Sequence, residues 1–426
     1  MSDTPFFERT TLPNGLRILT SSMPHTHSVA LSIYVGTGSR YEDDSEAGVS
    51  HFLEHLLFKG TERWPTAKEL SETIDGVGGM MNAGTDREYT VYYVKVARPH
   101  LEIALDVLME IVRKPLLDAT EMEKERGVIL EELAMVADSP PQLADLLLDS
   151  IMFPGNPLGR DIAGTPDSVK HIDGKMIRRY LGKQYAPNNT VVAVAGNVTH
   201  EEIVEAISSG MGDWPRGAPG SWSSIDGIKP SARHALHYKK TEQAHISVAV
   251  PGIPLNHPDR HALSFLSVVL GEGMSSRLFM ELREKRGLVY DVHTYVAHFL
   301  DGGTFNVYTG VDPKNAVEAL KVVLEEFALL RDKGVTEAEL TKARELSKGR
   351  LLLRMEDSRS VGGWIGAQEL LLENVRSVDD AVAEMDAVTL GDLNRVARDL
   401  IDPAKAHLAV VGPYRSDARF ASVLPA

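Results

Sequence analysis

Two histidines and a glutamate stand close together near the start of the chain, in the sequence His51-Phe-Leu-Glu54-His55. The apolar residues around them recur with the 3.6-residue period of an amphipathic helix that ends at Gly60. On such a helix the three polar side chains share one face, and two imidazoles one turn apart can bind a single Zn²⁺ ion. Glu54 is then near enough to take a proton from a metal-bound water. The pattern also fits an amphipathic helix with two surface histidines, so a third ligand is needed.

A charged helix, predicted to start near Asp118, contains the acidic candidates for that ligand. Glu125 and Glu132 are seven residues apart and lie on one helical face, whereas Glu131 points roughly 100° away. Charged runs of this kind are usually solvated helix faces. The shared face nevertheless favours Glu132 as the third ligand.

The composition limits the kinds of site and partner. The chain has 426 residues, no cysteine and a formal net charge of −15. A metal site can therefore use only His, Asp and Glu, and the negative charge disfavours nucleic acid and anionic membranes as partners. The chain shows no apolar run long enough to span a bilayer and no basic-then-apolar or Arg-rich leader. We therefore expect no membrane association and a cytoplasmic location.

The elements that position these residues occur twice along the chain. In the first half, Ser28–Val35 is a predicted strand, residues 80–96 are predicted to hold two strands, and the apolar run Thr190–Gly196 is typical of a strand buried on both faces. A similar order of elements recurs after residue 233, where residues 406–412 correspond to Thr190–Gly196. The counterpart of the metal helix there, residues 260–267, has one histidine and no carboxylate partner, so only the first half can bind this metal.

This duplication predicts an α+β protein of two tandem, structurally similar α/β sandwich domains. Each domain is expected to be a mostly antiparallel sheet covered by helices on one side. We place an N-terminal zinc-binding catalytic domain at residues 1–215 and a homologous C-terminal domain at residues 233–426. Residues 216–232, in a stretch rich in Gly, Pro and Ser, are the predicted linker.

The chain resembles the pitrilysin-type zinc peptidases, the inverzincins of family M16, and specifically their short bacterial branch related to the mitochondrial processing peptidase. The resemblance rests on the His-x-x-Glu-His motif and on a downstream glutamate ligand, whose fixed distance from the motif in that family falls on Glu132. It implies that Zn²⁺ is the cofactor and that Glu125 supports the metal site. It also implies that Asn82 and Ala83 belong to a substrate-binding edge strand.

The resemblance gives a role to an arginine and a tyrosine in the C-terminal half, here Arg283 and Tyr290, which are separated by a glycine turn. A cation and a phenol aimed at the scissile carbonyl can hold the substrate and stabilise the developing oxyanion. From the residues alone, Arg283 would be a charge on a helix surface and Tyr290 an alternating strand residue. Their catalytic role is thus an implication of the resemblance.

The expected function is that of a zinc-dependent endopeptidase for extended or unfolded peptides. His51, His55 and Glu132 would hold the metal, zinc-bound water would attack the scissile carbonyl, and Glu54 would be the general base. Long members of the family join four such domains, whereas this chain has two, so we expect a homodimer with an active site shared between chains. The alternative is a non-catalytic peptide-binding or assembly subunit of the same fold. General peptide turnover and processing of one specific precursor are both compatible with the sequence.

Overall fold

The computed structural model describes residues 5–425. These residues form two compact units, each built on one β-sheet. The first unit comprises residues 5–133, Asp161–Ser223 and Leu352–Val378. The second comprises Ala134–Arg160, Ser224–Leu351 and residues 379–425.

The described residues contain eleven strands and fifteen α-helices. The strands are β1 (Glu8–Thr11), β2 (Arg17–Ser22), β3 (Ser28–Val35), β4 (Met80–Thr85), β5 (Thr90–Ala97), β6 (Thr190–Gly196), β7 (His234–Tyr238), β8 (Ala244–Pro251), β9 (Val289–His298), β10 (Gly303–Val311) and β11 (His407–Gly412). The helices are α1 (Val49–Leu57), α2 (Ala67–Asp75), α3 (Leu101–Arg113), α4 (Ala119–Asp138), α5 (Pro140–Met152), α6 (Pro166–His171), α7 (Gly174–Gln184), α8 (His200–Met211), α9 (Arg260–Gly271), α10 (Ala316–Lys333), α11 (Glu337–Arg354), α12 (Ser358–Leu372), α13 (Val378–Ala387), α14 (Leu390–Leu400) and α15 (Ala418–Ala421).

The sheet of the first unit has the order β1-β2-β6-β3-β5-β4. β2 and β6 run parallel, and every other neighbouring pair is antiparallel. All seven residues of β6 are buried, as their unbroken apolar sequence predicts. β4 is the end strand, so its outer edge carries backbone groups that no described strand pairs.

The sheet of the second unit has the order β7-β11-β8-β10-β9. Its central strands match the first sheet in both order and direction, because β11 runs parallel to β7 and antiparallel to β8. Two similar sheets with helices confirm the predicted α+β class and the internal duplication. β7 is a strand that the sequence analysis did not predict, and it follows a stretch, residues 216–232, that contains no helix or strand.

Each sheet packs its main core against helices on one face. In the first unit the apolar side of α1, with Phe52 and Leu53 fully buried, meets the inward residues of β3, β5 and β6 and the buried face of α3. In the second unit α9 and α10 cover the corresponding face of the sheet, with Phe265 and Phe327 fully buried. The polar face of α1 is thereby turned away from the core.

The opposite face of each sheet carries one further helix, and these two helices are exchanged between the halves of the sequence. α12 comes from the second half and packs on β3 and β6 of the first unit, with Gly366 so near that a Cβ there would lie 2.5 Å from the Tyr34 ring. α5 comes from the first half and packs on β8 and β11 of the second unit. The compact units therefore differ from the predicted contiguous domains 1–215 and 233–426, because each unit includes a segment from the other half of the sequence. A strand buried on both faces needs a second cover, but the order of elements does not say which helix provides it.

Within the part of the chain that the structure describes, no helix is both long enough and apolar enough to cross a membrane. The cellular location stays a prediction.

Candidate active site

The start of α1 is fixed by two buried features. Gly48 precedes the helix with a left-handed φ of 92°, and a Cβ there would lie 2.3 Å from the carbonyl oxygen of Ala163, so only glycine fits. The carboxylate of Glu42, which is 2% exposed, accepts hydrogen bonds of 2.8 Å from the backbone N–H groups of Gly48 and Ser50. A carboxylate is stabilising at this end of a helix. Glu42 therefore holds the first turn of α1, directly before His51.

α4 brings the acidic side chains to α1. Its own start is capped by Asp118, whose Oδ1 accepts from the backbone N–H groups of Thr120 and Glu121 at 2.8 and 3.0 Å. Further along α4, the guanidinium carbon of Arg126 lies 5.3 Å from the centre of the Phe52 ring of α1. Arg126 therefore links the two helices that carry the candidate ligands.

His51, His55 and Glu132 come together as the sequence analysis predicted, with one potential ligand atom from each within 4.8 Å of the others. Oε2 of Glu132 lies 3.8 Å from Nε2 of His51 and 3.6 Å from Nε2 of His55. Two donors bound to one tetrahedral zinc at about 2.1 Å would lie about 3.4 Å apart. The observed separations are close to that spacing and too long for direct hydrogen bonds.

The protonation and contacts of these groups suit a metal. Oε2 of Glu132 is buried and has no hydrogen-bond partner among the described residues, which is costly unless a cation or a proton donor meets it. Burial, together with the neighbouring His55, lowers the pKa of His51 to about 4, so this ring is neutral at pH 7 and its nitrogen lone pair is free. The two histidines and Glu132 therefore fit a zinc ion; their role as ligands stays a prediction.

A second carboxylate orients His55. Nδ1 of His55 lies 3.0 Å from Oε2 of Glu125, while Nζ of Lys59 lies 2.6 Å from Oε1. Burial alone would raise the pKa of Glu125, but the hydrogen bonds from Lys59 and His55 lower it below its usual value. An ionised carboxylate only accepts, so Nδ1 of His55 carries the proton and its Nε2 faces Glu132.

Glu54 points toward the end strand of the sheet. The hydroxyl of Thr85, at the end of β4, donates a hydrogen bond of 2.5 Å to Oε2 of Glu54. Burial raises the pKa of Glu54, and this hydrogen bond opposes the rise. A carboxyl with a raised pKa beside a candidate metal site is suited to proton transfer.

Asn82 and Ala83 lie on β4, as predicted, and β4 is the edge strand. Oδ1 of Asn82 accepts a hydrogen bond of 2.8 Å from the N–H of Ala83. This N–H is therefore not used in the ladder with β5, and it is directed to the open edge of the sheet. The Asn82 side chain is exposed, and Ala83 packs against the core.

The second unit brings Arg283 and Tyr290 together. The guanidinium carbon of Arg283 lies 5.3 Å from the centre of the Tyr290 ring. Gly310 pairs with Asp291 and Val311 with Val289, so Tyr290 is the extra residue of a β-bulge at the start of β9. The bulge turns its side chain out of the regular alternation, and Tyr290 is 75% exposed.

Three residues of this region were not predicted from the sequence as parts of the site, although the spacing of two of them could have indicated it. Lys59 follows His55 by four residues, the spacing of neighbours on a helix face. Thr85 alternates with Ala83 along a strand, so both face the same side of the sheet. Glu42 gave no comparable signal, because its contact depends on a loop that returns to the helix start.

Comparison with known families identifies the family of this chain. Residues 17–166 match the family profile described as insulinase, peptidase family M16, and residues 171–347 match the one described as peptidase M16 inactive domain. The chain belongs to peptidase family M16. The inactive label of the C-terminal M16 domain agrees with α9, which has no counterpart of the His-x-x-Glu-His motif.

Relatives within M16 support the same assignment. An uncharacterized zinc protease of Streptomyces coelicolor is 39% identical and covers 96% of this chain and 90% of its own length. The uncharacterized zinc protease YmxG of Bacillus subtilis is 35% identical, with 95% and 98% covered. A protease from Helicobacter pylori has the same fold, with a TM-score of 0.89, 24% identity, and 96% and 100% of the two chains covered. The protein is thus a member of a zinc peptidase family.

Proposed function

We propose that this protein is a zinc-dependent endopeptidase that cleaves extended or unfolded peptides. The observation that carries the proposal is the convergence of His51, His55 and Glu132 on one point beside Glu54. Membership of M16 and the names of the relatives support zinc peptidase chemistry in general terms.

The proposed ligands are the two histidines of α1 and Glu132 of α4. When bound there, zinc supplies a Lewis acid that acidifies water and polarises a carbonyl group. Glu54 accepts a proton from the attacking water and later delivers it to the leaving amine. Thr85 holds one oxygen of Glu54 and leaves the other free for this transfer. Glu125 fixes the ring of His55.

We place the substrate along the open edge of β4. In the described structure, Oδ1 of Asn82 occupies the position on the N–H of Ala83 that a peptide carbonyl would take. If the Asn82 amide turns away, the N–H of Ala83 can bind the main chain of an added strand. Main-chain pairing needs an extended segment and depends little on side chains, which favours unfolded peptides as substrates.

We propose that Arg283 and Tyr290 bind the scissile carbonyl, with the phenol and guanidinium as donors to the developing oxyanion. The β-bulge supports this role, because bulges re-aim side chains and are frequent next to active sites. We further propose that the chain forms a homodimer in which the zinc residues of one copy and the Arg283–Tyr290 pair of the other share a site. The support for the homodimer is that the two sets of residues lie in different units of the chain, and that two-fold symmetric dimers are the commonest soluble oligomers.

The test of the proposed function separates metal binding from chemistry. Glu54→Gln keeps the size of the side chain but cannot act as a base, so zinc content should stay at the wild-type level while peptide cleavage falls by about 10²–10⁴-fold. His55→Ala should lose both zinc and cleavage. Metal analysis beside cleavage of an unfolded peptide mixture checks both variants. A fully active Glu54→Gln protein would refute the assignment, and a wild-type protein that binds zinc and peptide without cleaving would indicate the non-catalytic alternative.

A further inference from the structure

A second cleft lies on the face of the first sheet that α12 covers, opposite the face that packs against α1. Its volume is about 530 Å³. Tyr34 and Tyr93 form its floor on β3 and β5, and Trp364 of α12 forms one wall. Neighbouring residues on the two strands, Ile33 and Tyr92, point to the other face and join the main core. The cleft is therefore separate from the candidate active site.

Two arginines present unused donors to this cleft. The guanidinium carbon of Arg359 lies 3.9 Å from the centre of the Tyr93 ring, and that of Arg354 lies 5.7 Å from the Trp364 ring. Among the described residues, neither guanidinium makes an ion pair or a hydrogen bond. Contact with an aromatic face orients a guanidinium but leaves its N–H donors available.

The charge balance of the cleft is positive, although the whole chain has a formal net charge of −15. Asp357 is the carboxylate that lines the cleft, and it is already engaged. It pairs with Nζ of Lys95 and accepts a hydrogen bond of 3.0 Å from the N–H of Ser360 at the start of α12. The charges of Arg354 and Arg359 are therefore uncompensated.

The floor of the cleft holds a tyrosine hydroxyl that has no hydrogen-bond partner among the described residues. Tyr34 is 6% exposed, and its hydroxyl makes no hydrogen bond with any described residue. It lies against α12, where a Cβ on Gly363 would be 3.4 Å from the phenol oxygen. A phenol hydroxyl that opens into the cleft without an internal partner can donate to a bound ligand. Burial also raises the pKa of Tyr34 far above neutral pH, so the hydroxyl can donate.

We propose that this cleft binds a small aromatic anion, a carboxylate or a phosphate ester. The anionic group would accept hydrogen bonds from Arg354, Arg359 and the hydroxyl of Tyr34. The aromatic body would lie against Tyr89 and Val91, which line the same cleft. Such a ligand would bridge α12 and the sheet, so it should stabilise the folded protein in proportion to its occupancy. The proposal is independent of the peptidase chemistry.

The test measures binding by calorimetry and the ligand-dependent rise in melting temperature. The probes are adenosine monophosphate and phenylacetate, which represent the two anion classes. Adenosine lacks the anion and inorganic phosphate lacks the aromatic body. At least one aromatic anion should bind wild-type protein, and the probe that binds shows which class the cleft takes. Adenosine and phosphate should each bind at least about tenfold more weakly, since each lacks one half of the recognised group.

Variants show whether binding occurs in this cleft. Arg359→Gln should weaken the binding of the aromatic anion by about ten- to a hundredfold, and the double change with Arg354→Gln should abolish it. Tyr34→Phe keeps the ring and the fold and should weaken binding severalfold. Arg415→Gln is the matched control, because Arg415 also stacks on a tyrosine, 4.6 Å from the ring centre of Tyr238, in the second unit. Circular dichroism checks that each variant is folded.

Three results would overturn the proposal. The first is that neither aromatic anion binds. The second is that the double arginine variant binds as well as wild-type protein, or that Arg415→Gln loses as much affinity as Arg359→Gln. The third is that inorganic phosphate binds as tightly as the aromatic anions, which would remove the role of the aromatic walls. Peptide cleavage should be unchanged in the arginine variants.

Discussion

Nδ1 of His55 and Oε2 of Glu125 lie 3.0 Å apart, and Lys59 holds the second oxygen of the same carboxylate. Glu125→Gln removes the charge that favours this arrangement, because an amide accepts a weaker hydrogen bond than a carboxylate. We expect zinc affinity to fall about 10- to 100-fold, with cleavage restored by excess zinc. Glu121→Gln on the same helix, where Glu121 pairs with Lys124, is the control and should change neither property. Chelator competition measures the affinity, and an unchanged value for Glu125→Gln would contradict the role of Glu125.

The two adjacent glutamates of α4 should differ sharply. Oε2 of Glu132 faces both histidines, whereas Glu131 is exposed and lies outside the ligand group. Glu132→Gln should therefore lose more zinc affinity than the roughly 10- to 100-fold expected for an outer partner, and Glu131→Gln should lose almost none. Equal zinc retention by the two variants would show that the ligand set is wrong.

The hydrogen bond from Thr85 to Glu54 can be removed almost without a change in shape. Thr85→Val should lower kcat about ten- to a hundredfold with little change in KM, because the base loses the donor that fixes it. The same hydrogen bond lowers the pKa of Glu54, so the acidic limb of the pH–rate profile should move to higher pH. Thr85→Ser keeps the hydroxyl and should retain most of the activity. Wild-type kinetics in Thr85→Val would exclude a positioning role.

The shared active site can be tested by mixing two inactive proteins. Glu54→Gln damages the zinc side and Tyr290→Phe the carbonyl-binding side. After random subunit exchange about half of the dimers are mixed, and each mixed dimer has one intact site, so activity should recover to about a quarter of wild type. Fluorescence-labelled chains demonstrate the exchange. If exchange occurs without recovery, and light scattering finds an active monomer, the site is formed within one chain.

The ion pair between Arg277 and Glu339 should make the stability of the second unit depend on pH. Burial would raise the pKa of Glu339, but hydrogen bonds from Arg277 and Thr336 lower it from 4.5 to about 2. The pair therefore stabilises the fold above the usual pKa, and this contribution is lost as the pH falls from 4.5 toward 2.

Denaturant unfolding of wild type and Glu339→Gln measures this contribution. The difference in free energy of unfolding should be largest near neutral pH and smaller at about pH 3. Glu337→Gln, an exposed neighbour on the same helix, should show no such trend. A difference between wild type and Glu339→Gln that stays constant with pH would contradict the prediction.

Local patterns predicted those parts of the site that lie on regular elements. Helical spacing placed His51 and His55 on one face, and it preferred Glu132 to Glu131, a choice that the observed distances agree with. The strand Ser28–Val35 was predicted with the bounds that the structure has. These features depend only on residues a few positions apart, so the periodicity of apolar and polar residues is enough to predict them.

Features that depend on distant parts of the chain were beyond such patterns. The bulge at Tyr290 is defined by its pairing with β10, and strand alternation would have assigned this side chain to a regular position. The contact of Glu42 with the start of α1 requires a loop conformation. The packing of α5 and α12 brings together residues that are far apart in the sequence. Many different pairings of amphipathic helices with apolar sheet faces are compatible with this sequence, so the sequence pattern does not identify the observed one.

The exchange of these two helices also determines how the gene can be divided. A cut in the irregular stretch 216–232 would separate β6 from α12, exposing Ala193 and Ala195, and would leave β8 and β11 without α5. Neither fragment would encode a complete fold, although each would contain one whole sheet. The two halves of the sequence therefore cannot be expressed separately without exposing one apolar face of each sheet. A descendant that distributes its two units over two polypeptides would have to carry each covering helix to the opposite side of the break.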